Sequence, residues 1–346
     1  MAATSTTGLL IGAGSVGKRH AAVLALLCEN LVVVDSDVSV GKWVEDNFGK
    51  NVSFSTNLDG VLGSQRFDPT STLAVIATLG PSHLELINKL IDVGIRRIYC
   101  EKPLATSIAD CREIVARAHR DGVRMTVGLQ RRFTGLATEI KKVGAAQLGG
   151  SPTAIVAHGG AQCLVTTGTH RLDLACDLFG ATPIRVSAML SPMRINPRGA
   201  DLDMWQGGAT WLFTGDRTLT MSYSNASSSD GQVQVYFPLG RIDLDSDGSI
   251  TVFTRDMKEV ERDPRVTRVG DLVRVGPMNV EQVEKSGVKN ALGELVGAEE
   301  LTYPIGVAGA VAEAMLAALV ASEQGSSINL PVDQANPMFL RRWAVT

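Results

Sequence analysis

Residues 8–37, GLLIGAGSVGKRHAAVLALLCENLVVVDSD, decide the fold. A short apolar run, Leu9–Ile11, stops at the turn Gly12-Ala13-Gly14-Ser15-Val16-Gly17. Helical spacing follows, with apolar Val16, Val23, Leu24 and Leu27, and a second apolar run ends on Asp35. Strand, glycine turn, helix and strand in that order mark a nucleotide-binding βαβ unit. G-x-G-x-x-G is a weak string in a chain with 35 glycines, and its place between a strand and a helix gives it meaning. Gly12 permits the tight turn, Gly14 lets backbone approach a pyrophosphate, and Gly17 lets the helix lie close on the sheet. The phosphates then meet the helix N-terminus at Ser15 and Val16. Asp35, 18 residues after Gly17 and followed by Ser36, is spaced to bind the adenosine ribose hydroxyls and to repel a 2′-phosphate. The expected cofactor is NAD, with NADP left open by Lys18, Arg19 and Lys42.

Outward from this unit the alternation continues. Helices are expected over 38–47, 82–93 and 107–120, and strands near 52–54 and over 72–77, 96–100 and 124–128. Short apolar strands alternating with amphipathic helices give a doubly wound parallel sheet covered on both faces. After about Phe133 the texture changes: a helix over 134–143, a strand over 153–158 and a helix over 168–179. From Pro183 to about Phe253, period-two alternation with the turn signals SSSDGQ, PLGR and DSDG reads as an antiparallel sheet. Residues 255–289 are polar and give no assignment, and an alanine-rich helix runs from Ile305 to Ser322. The expected class is therefore α/β followed by α+β. A Rossmann domain spans 1–130, and a substrate-binding and oligomerisation domain with a large, mostly antiparallel sheet spans 131–346. The final residues are able to pack back on the first domain.

Composition agrees. At roughly 150 residues per domain, 346 residues predict two. With 45% hydrophobic and 20% charged residues the chain has ample apolar surface for a core, which argues against disorder. Thirty-three basic against 36 acidic residues leave a net charge of −3, without the basic footprint of a nucleic-acid binder. The longest apolar stretch, Ile305–Ala321, is interrupted by Glu313 and is shorter than a membrane span. The first residues, MAATSTTG, lack a signal-peptide pattern, so a cytoplasmic protein without membrane or nucleic-acid partners is expected. Five scattered cysteines with no C-x-x-C, and no clustered histidines, give neither a disulfide framework nor a metal site.

The sharpest string is Cys100-Glu101-Lys102-Pro103-Leu104 after the fifth strand. Its surroundings, ATLGPSHLELINKLIDVGIRRIYCEKPLATS (77–107), resemble the A-T-x-x-x-x-H … E-K-P block of the Gfo/Idh/MocA family, the glucose–fructose oxidoreductase and inositol 2-dehydrogenase relatives. VGLQRRF (127–133) is similar to that family's V-G-Y-N-R-R-F, and TGTHRLDLACDLFG (167–180) to its histidine-bearing helix. The resemblance implies a nicotinamide cofactor on the first domain, a sugar or cyclitol between the domains, and hydride transfer at a carbinol carbon. It also implies a homodimer or homotetramer. As cofactor contacts it adds Thr78, Leu79, His83, Glu101, Lys102, Gln130 and Arg131 to the glycine turn.

Oxidising an alcohol needs a proton acceptor and a positive group beside the developing alkoxide. Lys102 is the candidate for the second role, the alternative being a surface lysine paired with Glu101. His170, whose ordinary pKa is about 6.5, is the proton-relay candidate, and in the matching family motif it is usually the base; the alternative is a helix histidine bonded to the other domain. Asp173 shares its helix face and can orient the ring or serve as a structural carboxylate. Thr166 stands where many members carry an aspartate and cannot act as a base at neutral pH. Arg131, His158 and Thr169 are further substrate candidates, with domain-fastening salt bridges (Arg131, Arg132) and sheet packing (His158) as the plainer readings. Arg194, Arg198, Asp201 and Trp205 form a polar loop able to hold a diphosphate and stack a base. His20 and His119 read as surface residues.

An NAD-linked sugar or cyclitol dehydrogenase therefore stands first. A nucleotide-binding protein without turnover, and one using a permanently bound cofactor for internal redox, are the alternatives.

Overall fold

The computed structural model describes residues 6–64, 67–160, 162–193, 202–228, 231–246, 249–255, 258, 261, 272–278, 283–297 and 300–345. Six parallel strands, β1 (Thr7–Ile11), β2 (Asn30–Val34), β3 (Val52–Ser55), β4 (Thr72–Ile76), β5 (Arg97–Cys100) and β6 (Arg124–Val127), form the first sheet. Their order, β3-β2-β1-β4-β5-β6, reverses direction between β1 and β4, the switch point at which open α/β sheets bind ligands. β4 is buried at every position, as expected of a strand covered on both faces. The covering helices are α1 (Ser15–Leu27), α2 (Ser39–Asn47), α3 (Leu58–Leu62), α4 (His83–Asp92) and α5 (Ile108–Arg120). Chain progression thus brings three turns to one edge: the glycine turn after β1, Thr78–Leu79 after β4, and Glu101–Lys102 after β5.

A short 3-10 turn, Gln130–Thr134, leads through α6 (Leu136–Gln147) into the second sheet. Its strands are β7 (Ala154–Gly159), β8 (Arg185–Pro192), β9 (Trp205–Leu212), β10 (Thr218–Tyr223), β11 (Gln232–Phe237), β12 (Gly240–Leu244), β13 (Ile250–Arg255), β14 (Leu272–Met278) and β15 (Ile328–Asn329). They run in the order β14-β13-β12-β11-β7-β10-β9-β8-β15. Among the described residues every neighbour pair is antiparallel except β7 with β10. Alternation gives this sheet one buried face, carrying Ile155, Ala157, Trp211, Leu219, Met221, Val233 and Val235. Helices α7 (Leu164–Phe179) and α9 (Ile305–Gln324) pack on it, and the Trp211 indole N–H donates to the Ala314 carbonyl at 2.9 Å.

Two sequence expectations change here. Helix α7 begins at Leu164, one turn before Gly168. Thr166, Thr167 and Gly168 are poor helix formers, but a side chain at Gly168 would meet the Met221 sulfur at 3.0 Å, so the glycine buys close packing on β10. The unassigned segment 255–289 contains β14 and the start of α8 (Val283–Gly297). α8 crosses the 3-10 turn so tightly that a Cβ at Gly287 would lie 2.4 Å from the Gln130 carbonyl oxygen.

Helix α9 is apolar and long enough to cross a membrane by length and composition alone, yet it lies inside the molecule, against α5, α7, β6 and β8. Its buried acid, Glu313, is 7% exposed and takes two charge-assisted bonds from Arg112 of α5, at 2.7 and 2.9 Å, plus the Val332 N–H at 2.7 Å. The last residues reach the same region, with the Trp343 N–H on the Thr106 carbonyl at 2.8 Å and Arg342 on Asp110 at 3.0 Å. Removing Arg112 alone leaves the Glu313 carboxylate buried on one backbone donor. Arg112→Ala is therefore expected to lower unfolding free energy by about 3 kcal/mol in urea titration, whereas Arg112→Met combined with Glu313→Leu recovers most of that loss.

Candidate functional site

The glycine turn is built as its spacing requires. Gly12 has φ +89°, and a side chain there would meet the Ala77 backbone at 2.8 Å. A Cβ at Gly17 would sit 2.0 Å from the Gly12 carbonyl oxygen, so α1 rests on the end of β1 with nothing between. Gly14 differs: its φ is −65° and a Cβ would find nothing within 4 Å. Nothing inside the chain demands glycine there, which leaves close approach of a ligand as the physical reason. Gly14, Ser15 and Val16 are exposed, and no side chain caps α1, so its first amides are open to an anion. The Asp35 carboxylate reaches back from the end of β2 to accept the Ala13 N–H at 2.5 Å and the Asp37 N–H at 2.9 Å. Ser36 is exposed beside it, and Leu79 stands 54% exposed on the neighbouring turn. These donors and this cradle fit a dinucleotide.

Of the cations that leave NADP open, Lys18 lies 5.1 Å over the Trp43 ring on the Asp37 side, while Lys42 pairs with Asp46 at 3.2 Å. Arg19 borders the cavity described next.

A cavity of about 610 Å³ opens beside the turn. Helix α1 lines it with Val16, Arg19 and His20, the β5 end with Glu101 and Lys102, the β6 end with Gly128 and Gln130. His170 enters from α7, and Val288 and Lys289 from α8. Five expected site residues (Val16, Glu101, Lys102, Gln130 and His170) thus border one space. Thr166 lies one helical turn before His170, on the same side of α7. Burial, with the charges of Lys102, Arg131 and Arg171, pushes the His170 imidazole down to about 3. An expectation of ordinary titration near neutrality is thereby corrected: the ring is neutral at pH 7, and its Nδ1 is covered without a hydrogen-bond partner.

Several other expected contacts are corrected by what surrounds them. His83 is fully buried, with Nδ1 2.9 Å from the Pro103 carbonyl and Nε2 3.1 Å from the Thr78 carbonyl, so it shapes the two turns rather than facing a cofactor. Thr78 itself bonds Ser82 at 2.7 Å. Thr169 turns its hydroxyl back onto the Val165 carbonyl of its own helix and lies buried. Asp173 does not orient His170: it is 2% exposed and holds Arg132 at 2.6 Å. Arg132 also reaches Asp177 at 3.1 Å and lies 4.7 Å over the Tyr303 ring, which makes it a fastener between the 3-10 turn and α7. His158 projects from the open face of the second sheet, because alternation turns Ala157 and Gly159 toward α7 and His158 away. Trp205 is buried, edge-on to Trp343 at 6.2 Å, so it offers no stacking platform. Arg194, Arg198 and Asp201 lie outside the described residues.

The residue that sequence reading missed is His20. It is 1% exposed, and its Nε2 sits 2.7 Å from Glu101 Oε1 inside the cavity wall. The signal was present: Gly17, His20, Ala21 and Leu24 repeat at helical spacing and share the buried face of α1.

Comparison with known proteins agrees with this geometry. Residues 7–129 match the Gfo/Idh/MocA model, "Oxidoreductase family, NAD-binding Rossmann fold". Inositol 2-dehydrogenase 3 of Saccharopolyspora erythraea is 31% identical over 153 residues, 43% of each chain. Inositol 2-dehydrogenase of Acidothermus cellulolyticus is 31% identical over 211 residues, 56% of this chain and 59% of that one. The match thus spans about half the length of these relatives. The whole fold is shared with an oxidoreductase from Agrobacterium radiobacter solved with NAD+, L-tartaric acid and magnesium (TM-score 0.71, 16% identity, 94% and 98% of the two chains).

The depressed His170 basicity has a consequence for stability. The unfolded ring gains its proton near pH 6.5 and the native ring only near pH 3, so between these values the unfolded state binds more protons. The His170 contribution is complete above pH 6.5 and is lost as pH falls toward 3. His83, also depressed by burial, acts in the same direction. The decline in denaturation midpoint between pH 6.5 and 4 is therefore expected to be shallower in His170→Gln than in the wild type.

Proposed function

We propose that the chain, whose residues 7–129 match the Gfo/Idh/MocA oxidoreductase model, is an NAD-linked dehydrogenase acting on a secondary alcohol of a sugar, amino sugar, nucleotide sugar or cyclitol. The observation that carries this reading is the meeting of Lys102 and His170 on one cavity that reaches the glycine turn at Val16. The names of the inositol dehydrogenase relatives, and the NAD+ and tartaric acid of the structural neighbour, support a polyhydroxylated substrate and NAD.

Bound nicotinamide supplies the two-electron acceptor for the carbinol hydride. The protein's part is positional and electrostatic. The Lys102 ammonium stabilises the oxygen as it becomes an alkoxide, and the cationic surroundings that keep His170 neutral favour negative charge at that point. A neutral imidazole has a lone pair for the alcohol proton, and Thr166, one turn earlier on α7, is placed to bond a substrate hydroxyl. Asp35 receives the ribose hydroxyls. The exposed row of Met189, Ser222 and His158 on the open sheet face supports assembly as a homodimer or homotetramer. One feature favours the rival of a cofactor-binding protein without turnover: threonine replaces the family aspartate beside a histidine of low basicity.

Absorbance at 340 nm with NAD and a panel of sugars, cyclitols and nucleotide sugars separates the two. NADH formation is expected, and Lys102→Met is expected to abolish it while NADH binding by fluorescence stays within about threefold. NADH bound tightly with silence across the panel supports the rival. Asp35→Ala is expected to weaken NADH by about tenfold or more and NADPH by less; equal losses remove its ribose role.

A further inference from the structure

The His20–Glu101 couple is more elaborate than packing requires. The two residues lie 81 positions apart, on α1 and after β5, and meet at 2.7 Å with His20 buried and the Glu101 side chain 12% exposed. The Tyr99 ring meets the imidazole edge-on at 5.0 Å, and its hydroxyl donates to the same Oε1 at 3.4 Å. The other carboxylate oxygen accepts the backbone N–H of Lys102 at 3.2 Å. Glycine is kept at position 128, where a Cβ would come within 2.8 Å of the carboxyl group. His20 Nδ1 has no partner, so the proton belongs on Nε2, where it is donated to Glu101. A doubly protonated ring would bury an unsatisfied donor. An apolar pair would join α1 to β5 at no desolvation cost; this pair instead spans from the first helix to the amide of the residue carrying the cavity's amine.

We propose that His20 is a positioning residue for the hydride-transfer site: by holding the Glu101 carboxylate on the Lys102 amide it fixes where the Lys102 amine stands in the cavity. The inference rests on the dehydrogenase reading for its purpose, but its geometry can be tested without a substrate. A misplacement of about 1 Å at a reacting group costs up to roughly a hundredfold in rate, so a small loosening is enough to be read.

His20→Gln keeps an N–H donor near the Nε2 position, and His20→Leu keeps the volume without it. For each NADH-saturated variant, reductive labelling of Lys102 by pyridoxal 5′-phosphate and borohydride is followed by peptide mass spectrometry at one pH. Wild type and His20→Gln are expected to label Lys102 at rates within about twofold of each other. His20→Leu is expected to differ by at least fivefold, with NADH affinity within threefold and other lysines unchanged. Wherever the panel yields a substrate, kcat should fall about ten- to a hundredfold in His20→Leu, with KM little altered, and be restored in His20→Gln. If His20→Leu does not fold, His20→Asn, whose amide is one bond too short for Glu101, takes its place. Wild-type labelling in the donor-free variant overturns the proposal. Altered labelling in a protein that turns over nothing leaves standing the placement of the Lys102 amine by His20 and supports the cofactor-binding rival to the dehydrogenase reading.

Discussion

The seating of α1 on the end of β1 is the constraint from which the rest of the site follows. No atom beyond hydrogen fits at Gly17, 2.0 Å from the Gly12 carbonyl oxygen at its hypothetical Cβ, so helix and strand are in direct backbone contact. That contact aims the uncapped amides of α1 at the sheet's switch point. It also carries His20, one turn further, against the strand that ends in Glu101 and Lys102. A bulkier helix–strand junction would lift His20 away from Glu101 and separate the phosphate cradle from the amine. Anion seat and amine are therefore placed by one close approach rather than by two independent devices.

The second sheet contributes by what it holds rather than by what it exposes. Its buried face supports α7, and α7 is tied to the first sheet's side of the molecule through Arg132, whose guanidinium joins Asp173 and Asp177 and covers Tyr303. Burial raises the Asp173 pKa, and Arg132 opposes that rise. With α7 so fixed, His170 reaches the cavity while Asp173, three residues on, does not. α9 closes the arrangement from behind, its apolar surface shared by α5, α7 and β8 and its buried acid, Glu313, paired with Arg112.

The parts legible in the sequence were those in which local pattern and global role coincide. The glycine turn, the apolar parallel strands and the alternation of β10 and β11 each obey a single short-range rule. Tertiary contact decided the rest. The sequence pattern predicts α7 from Gly168, whereas it begins at Leu164, where packing of Gly168 against Met221 outweighs the low helix propensity of Thr166 and Thr167. α8 carries too few apolar residues to announce itself and is held by Gly287 against Gln130. His158 and His170 looked alike as candidates; strand alternation sends one to the open sheet face and helical register sends the other into the cavity. His83 and His20 are both buried, since a partner 20 or 81 residues away fixes each ring.

The charge of the cavity wall gives this arrangement its chemical sense. Among the described residues, Arg19, Lys102 and Lys289 face it with Glu101 as the only carboxylate, in a chain whose net charge is −3. His170 adds no charge of its own to the wall, because burial and the surrounding cations oppose its protonation. The space is therefore biased toward negative charge on whatever it holds. Were the lone carboxylate free to swing, it would pair with Lys102 and cancel that bias where it is needed. Glu101 is bound by the His20 and Tyr99 side chains on one oxygen and by the Lys102 backbone amide on the other. Under the proposed dehydrogenase reading, that bias falls on the oxygen whose carbinol carbon gives up the hydride.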